Sequence, residues 1–226
     1  MKQKFRQIIQ QAIGADDVFP VEDIQNLWSG YGKIMRYGVR GGSCPSVVIK
    51  HVRLPDRADH PRGWDTDISH QRKIRSYRVE SSWYRGLSQR CDNRCRVPRC
   101  FALEESETEF LMVLEDMDAS GFALRKQSAS FQDMQLCLHW LAQFHATFIG
   151  VQAEDLWQVG TYWHLHTRPD ELAVMEDRAL QAAAPAIDKI LTEARYQTLV
   201  HGDAKLANFC FSNRGKVAAV DFQYVG

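Results

Sequence analysis

Six polar residues interrupt two apolar runs in LVHGDAKLANFCFSNRGKVAAVDFQ, residues 199–223: His201, Asp203, Lys205, Asn208, Asp221 and Gln223. Asp203 and Asn208 are separated by four residues in a segment without helical periodicity, so a loop could turn both side chains toward one point. The run FCFS, the turn NRGK and the run VAAVDF read as a hairpin, which would return Asp221 to the neighbourhood of Asn208. Carboxylate and amide oxygens are hard ligands suited to Mg²⁺, an ion that keeps several waters and is usually shared with substrate phosphates. D-x-x-x-x-N followed after a hairpin by D-F is the arrangement of kinase phosphoryl transfer, where one aspartate accepts the hydroxyl proton and the other two residues hold metal.

Such residues need elements to hold them. Phe5, Ile8, Ile9, Ala12 and Ile13 form the stripe of an opening amphipathic helix. Residues 23–54 then alternate apolar and polar around glycine breaks, as antiparallel strands do, with Ile34 and Tyr37 near the first strands and Val47, Val48 and Ile49 leading to Lys50. Residues 55–67 are too polar and too broken by Pro and Gly for a regular element. From Ile68 to about Ser88 the spacing predicts a helix with Tyr77, Tyr84 and Leu87 on one face. Glu80 falls on that face, and a carboxylate among apolar groups is costly unless a cation from another element meets it. Residues 99–117 read as a hairpin with an acidic turn. Ser130 and Asp133 form a capping-box pattern before a helix whose core stripe is expected at Met134, Cys137, Leu141, Phe144 and Phe148, with His145 as a hydrogen-bonded structural residue beside it. Residues 170–197 read as one or two helices interrupted by Pro185. Strands and one helix first, helices next and a short β-rich end favour an α+β, two-lobed architecture over a parallel α/β sheet.

HGDAKLAN together with VDFQ resembles the catalytic core of the aminoglycoside phosphotransferase and choline kinase superfamily, in which HGD replaces the HRD of protein kinases. VVIK, SYRVESSWYRGL, VPRCF, FLMVLEDM and LAQFHATF occur in the order of its ecdysteroid-kinase-like branch, also called CHK-kinase-like, and the resemblance runs from about residue 25 to the last residue. It implies a protein-kinase-like bilobal fold, with residues 1–116 as an ATP-binding lobe and 117–226 as a partial, mainly helical second lobe. It also implies that Asp203 orients or deprotonates the acceptor hydroxyl, that Asn208 and Asp221 bind Mg²⁺, and that Lys50 holds the ATP phosphates with Glu80 as its partner. Lys205 would reach the transferred phosphate, or equally serve as a solvated loop lysine. His201 is expected to be a hydrogen bonder of the loop. Gly30 and Gly32 would let a hairpin approach the phosphates, and the stretch from Glu115 to Met117 would be the hinge that meets adenine. Gln223 stands where protein kinases have the Gly of D-F-G, and no A-P-E-like segment follows, so a small-molecule hydroxyl acceptor is expected rather than a protein. Family members continue past the equivalent of Asp221, so the chain reads as a C-terminally truncated member. The alternative is a kinase-like nucleotide-binding module without turnover.

Composition adds exclusions. With 226 residues and 45% hydrophobic content the chain can bury a substantial core. Lys+Arg and Asp+Glu are equal at 28 each, so no global field favours nucleic acid or an anionic membrane. No apolar run approaches a membrane span and no secretion signal is evident, which makes the cytoplasm the expected compartment. No protein partner is indicated. Cys91, Cys95 and Cys100 lack the paired spacing of a zinc site, and free thiols are expected.

Overall fold

The computed structural model describes residues 3–27, 30–54, 66–165 and 168–226. Its centre is a five-stranded antiparallel sheet of order β1-β2-β3-β5-β4, built from β1 (Asp17–Asn26), β2 (Gly32–Arg40), β3 (Ser46–Arg53), β4 (Cys100–Glu105) and β5 (Glu109–Glu115). β1 begins six residues before the expected strand region and is an edge strand, which tolerates Pro20 and two register shifts. The helix α1 (Gln3–Ile13) lays Phe5, Ile9 and Ile13 on one face of the sheet, against Val47, Ile49, Leu111 and Val113. Each such buried side chain contributes about 1.5–3 kcal/mol.

The period-2 geometry of β3 then decides where Lys50 goes. Val47 and Ile49 face α1, so Lys50 and Val52 must face the opposite side. That side is covered by α2 (Thr66–Arg85), with Ile74 and Tyr77 on Val52 and Phe110, and Val79, Trp83 and Tyr84 in a cluster with Met112 and Leu114. α2 stops at Arg85, and after Gly86 the chain continues as a 3₁₀ turn, Leu87–Arg90, so Leu87 packs from that turn instead of from the helix. The polar stretch at 55–67, expected as a loop, lies outside the described residues through residue 65, and Thr66 already belongs to α2.

α3 (Phe131–Phe148) starts with the expected capping box: Ser130 Oγ accepts from Asp133 N at 3.2 Å, and Asp133 Oδ2 accepts from Ser130 N at 3.0 Å. Of the expected core stripe, Cys137, Leu141, Phe144 and Phe148 pack in the core and Met134 does not. Met134 is 46% exposed, while Trp140 is buried, stacked on Phe144, and donates from Nε1 to the Arg96 carbonyl at 3.0 Å. The helix turns its Trp140–Phe144–Phe148 line inward because those three large rings meet Trp83 and Phe222, contacts that Met134 at the first turn cannot reach. A second correction concerns Pro185. The break falls between α4 (Pro169–Ala173) and α5 (Arg178–Thr192), where the Asp177 side chain accepts from Leu180 N and starts a new helix. α5 runs through Pro185 and carries no buried residue.

The chain ends in a small hairpin, β6 (Phe209–Phe211) with β7 (Val217–Ala219), whose inner residues join the same core as α2 and α3. A mixed α+β chain of this order is compatible with a kinase-like bilobal fold. Among the described residues no helix is long and apolar enough to cross a membrane. All six cysteines are free thiols.

Candidate active site

The cation that Glu80 requires is Lys50. Lys50 Nζ donates to Glu80 Oε2 at 2.6 Å, and both side chains are almost wholly buried, at 4% and 1% exposure. The same ammonium donates to Asp221 Oδ1 at 3.1 Å, so β3, α2 and the segment after β7 meet at one nitrogen. Burial alone would pull the Lys50 ammonium down, but the Asp221 and Glu80 carboxylates outweigh it and hold it above the ordinary lysine value. Burial pushes Glu80 up, with Lys50 opposing. For Asp221 burial is overcome by Lys50, and its carboxyl sits below the usual range.

Asp221 is also where the backbone is unusual. Its φ of 68° makes it the one non-glycine residue with positive φ among the described residues. Phe222 anchors this conformation, fully buried and stacked on Trp83 of α2 at 4.7 Å. Gln223 follows, 4% exposed, and donates from Nε2 to Asp221 Oδ1 at 2.9 Å. Asp221 Oδ1 therefore carries two donors.

The loop before β6 is held against this segment. His201 is buried; its Nε2 meets the Val220 carbonyl at 3.0 Å, and its Nδ1 accepts from Asp203 N at 3.3 Å. Since Nδ1 accepts, Nε2 must carry the proton, and burial pulls the imidazole down toward this neutral form. Gly202 has φ 79°, and a Cβ there would fall 1.9 Å from the Tyr224 carbonyl oxygen, so only glycine allows the loop to lie this close. Asp203 Oδ2 accepts from Lys205 Nζ at 2.8 Å and from Asn208 Nδ2 at 3.1 Å. Lys205 is thus tethered to Asp203, and that contact raises its ammonium above the ordinary value. Asn208 lies in a 3₁₀ turn, Leu206–Asn208, and its carbonyl accepts from Val220 N at 2.9 Å, one residue before Asp221. The hairpin return expected from the sequence is formed.

These groups supply hard oxygen donors: Asp221 with a second carboxylate oxygen beyond Oδ1, which already accepts two hydrogen bonds, Asn208 with its amide oxygen, and Asp203 bonded to Asn208. That donor chemistry fits Mg²⁺ shared with phosphate. Among the described residues no group of three or more His, Cys, Asp or Glu could hold a metal ion by itself. At the other end of the site, Glu115 is tied by its side chain to Arg96, to Ser120 Oγ at 2.6 Å and to Arg99 N at 3.0 Å. Met117 is buried with Cys210 and Ala218, and its carbonyl accepts from Phe122 N at 2.8 Å. Gly32, φ 140°, abuts β3, where a Cβ would meet the His51 carbonyl oxygen at 2.0 Å; Gly30, φ 74°, has open space around it. Tyr31 between them reaches His70 of α2.

Two groups at the site escaped the sequence reading. Asp116, buried between Glu115 and Met117, accepts from Ser46 Oγ at 2.6 Å and Arg36 Nε at 2.7 Å and so ties this segment to β2 and β3. Lys73 donates to Gln223 Oε1 at 2.7 Å and lies over the Tyr77 ring. Lys73, Tyr77 and Glu80 fall at i, i+4, i+7, so a lysine on the face that carries Glu80 was the available signal.

A sheet lysine paired with a helix glutamate and reaching an aspartate after a terminal hairpin is the geometry of a kinase-like site. Residues 78–164 match the model of the ecdysteroid kinase-like family, which supports the ecdysteroid-kinase-like branch of the kinase-like superfamily and, in general terms, phosphotransferase chemistry. The matched segment contains Glu80, Glu115 and Met117 and ends before Asp203. No curated protein matches the chain.

Proposed function

We propose that the chain is an ATP-dependent small-molecule kinase that transfers the γ-phosphoryl group to a hydroxyl of a choline-, aminoglycoside- or sterol-like metabolite. The observation that carries this reading is the convergence on Asp221: the Lys50 ammonium of a buried Lys50–Glu80 pair donates to this left-handed aspartate, and the Asp203 loop is tied through His201 to the carbonyl of Val220, the residue before it. In this reading residues 1–116 bind ATP, with Glu80 holding the Lys50 ammonium in place to meet phosphate oxygens. Glu115 to Met117 face adenine through their backbone, and the glycines Gly30 and Gly32 bring the β1–β2 turn toward the phosphates.

Residues 117–226 supply the transfer chemistry. Asp203 accepts the proton of the acceptor hydroxyl as its oxygen forms the new bond to phosphorus and the bond to the departing ADP oxygen breaks. Lys205 and Asn208, both bonded to Asp203 Oδ2, hold that carboxylate in place and leave Oδ1 for the acceptor. Asn208 and Asp221 would hold Mg²⁺, which when bound neutralises charge on the phosphates. His201, neutral and locked between Val220 and Asp203 N, keeps the loop in register with Asp221.

Calorimetric titration of ATP with Mg²⁺ into the purified chain, with Asp221→Ala in parallel, tests the nucleotide site. Binding is expected for the native chain and lost in the variant. Asp203→Asn is expected to keep binding and to lose about 10²–10⁴-fold in phosphate transfer to an acceptor found by screening. Near-native turnover by Asp203→Asn would refute the assignment, and ATP binding without transfer to any hydroxyl compound would favour a nucleotide-binding module.

A further inference from the structure

Gln223 has its amide oxygen, its amide nitrogen and its own carbonyl all hydrogen-bonded. Its Oε1 accepts from Lys73 Nζ at 2.7 Å and lies 3.2 Å from Ser76 Oγ, whose single proton is shared with the Lys73 carbonyl at 2.8 Å. Its Nε2 donates to Asp221 Oδ1 at 2.9 Å, and its own carbonyl accepts from Trp157 Nε1 at 2.7 Å. The amide orientation follows from chemistry: an ammonium can only donate and a carboxylate can only accept, so the oxygen must face Lys73 and the nitrogen must face Asp221. Glutamate here would set two carboxylates against each other, and an aliphatic residue would take away the acceptor of Lys73 and one of the two donors on Asp221 Oδ1.

Helix α2 therefore reaches Asp221 by two polar routes. One runs from Glu80 through Lys50, the other from Lys73 through Gln223, and both end on Oδ1. Phe222, between the two residues, stacks on Trp83 of the same helix. With Oδ1 held by two donors, the carboxylate cannot rotate freely, and its other oxygen is presented in a fixed direction.

We propose that Gln223 is a positioning residue, which with Lys73 fixes the orientation of the Asp221 carboxylate and couples it to helix α2. This rests on the kinase reading for what Asp221 does. A displacement of α2 would then move Lys50 and turn Asp221 together, so that phosphate and cation binding rise and fall as one.

The test measures ATP affinity with Mg²⁺ and with EDTA for the native chain, Gln223→Leu, Lys73→Met, the double variant and Asp221→Asn, with folding checked by circular dichroism. The readout is the gain in affinity that Mg²⁺ confers, because a residue that only supports the fold changes both affinities alike. Gln223→Leu is expected to reduce that gain about tenfold, and the double variant to reduce it no further, since Lys73 acts through Gln223. An unchanged gain in Gln223→Leu alongside its loss in Asp221→Asn would overturn the inference and leave the kinase reading standing. An unchanged gain in Asp221→Asn would instead remove the kinase reading and the inference with it. Should Gln223→Leu fail to fold, Lys73→Met decides: a reduced gain supports the positioning role and an unchanged gain rejects it.

Discussion

Replacing Lys50 by Met separates what the buried ion pair does for stability from what it does for function. The methionine keeps most of the volume and removes the charge, which leaves Glu80 at 1% exposure without its partner. Breaking a buried pair on one side costs about 3–5 kcal/mol. The lower end applies here, because Lys73 also stabilises the Glu80 carboxylate. The sign of the pH dependence follows from Glu80. Burial already pushes its carboxyl above the ordinary value against the opposition of Lys50, and Asp221 adds to the rise. Without Lys50 the folded-state value lies still further above the unfolded one. Protonated Glu80 is tolerated in the core, so the variant is least penalised below the unfolded value of about 4.3 and loses stability as pH rises through the folded value. Urea unfolding followed by tryptophan fluorescence should give a loss of about 3 kcal/mol at pH 7.5 and roughly half that at pH 5. Lys50→Met with Glu80→Leu should recover most of the stability while ATP binding stays lost. A loss below about 1 kcal/mol, or one that does not change between the two pH values, would refute an uncompensated buried carboxylate as its cause.

Other perturbations probe separate links. Gly202→Ala should lower stability by about 2 kcal/mol or more in thermal unfolding, since it combines a left-handed φ of 79° with a Cβ 1.9 Å from the Tyr224 carbonyl oxygen. Trp140→Ala should cost about 3–5 kcal/mol in chemical denaturation and Met134→Ala no more than about 0.5 kcal/mol, which reverses the ranking expected from spacing alone. Lys73 is pulled down to about 8, first by burial and then by Lys50. The unfolded chain thus binds the extra proton between about pH 8 and 10.5, and this group makes the native protein gain stability as pH rises through that window. Lys73→Met removes the gain, so its stability relative to the native chain should fall by roughly 3 kcal/mol from pH 8 to 10.5 in denaturant titrations.

Much of the fold was legible because it rests on periods that one strand or helix expresses by itself. Val47, Ile49 and Lys50 alternate, and the alternation alone sends Lys50 to the face opposite α1. Phe5, Ile9 and Ile13 repeat every four residues and bury as expected. The errors came where neighbours decide. In α3 the expected Phe144 and Phe148 bury, Met134 does not, and Trp140 joins them because Phe144 and Phe222 offer its ring aromatic partners. Pro185 marks a helix interior because the Asp177 cap starts α5 ahead of it.

The site divides in the same way. Glu80 could be recognised because a carboxylate on an apolar face demands a cation, and Lys50 could be matched to it because the strand supplied one. Lys73 met no such demand. A lysine eight residues into a polar helix start reads as solvated, since its stem can lie along the surface with its ammonium in water. What meets it there is Gln223, 150 residues later, whose amide oxygen would otherwise have only the shared Ser76 hydroxyl as a donor. The glutamine amide accepts from that ammonium and donates to Asp221 at once, so the departure from D-F-G is also the feature that ties Lys73 to Asp221.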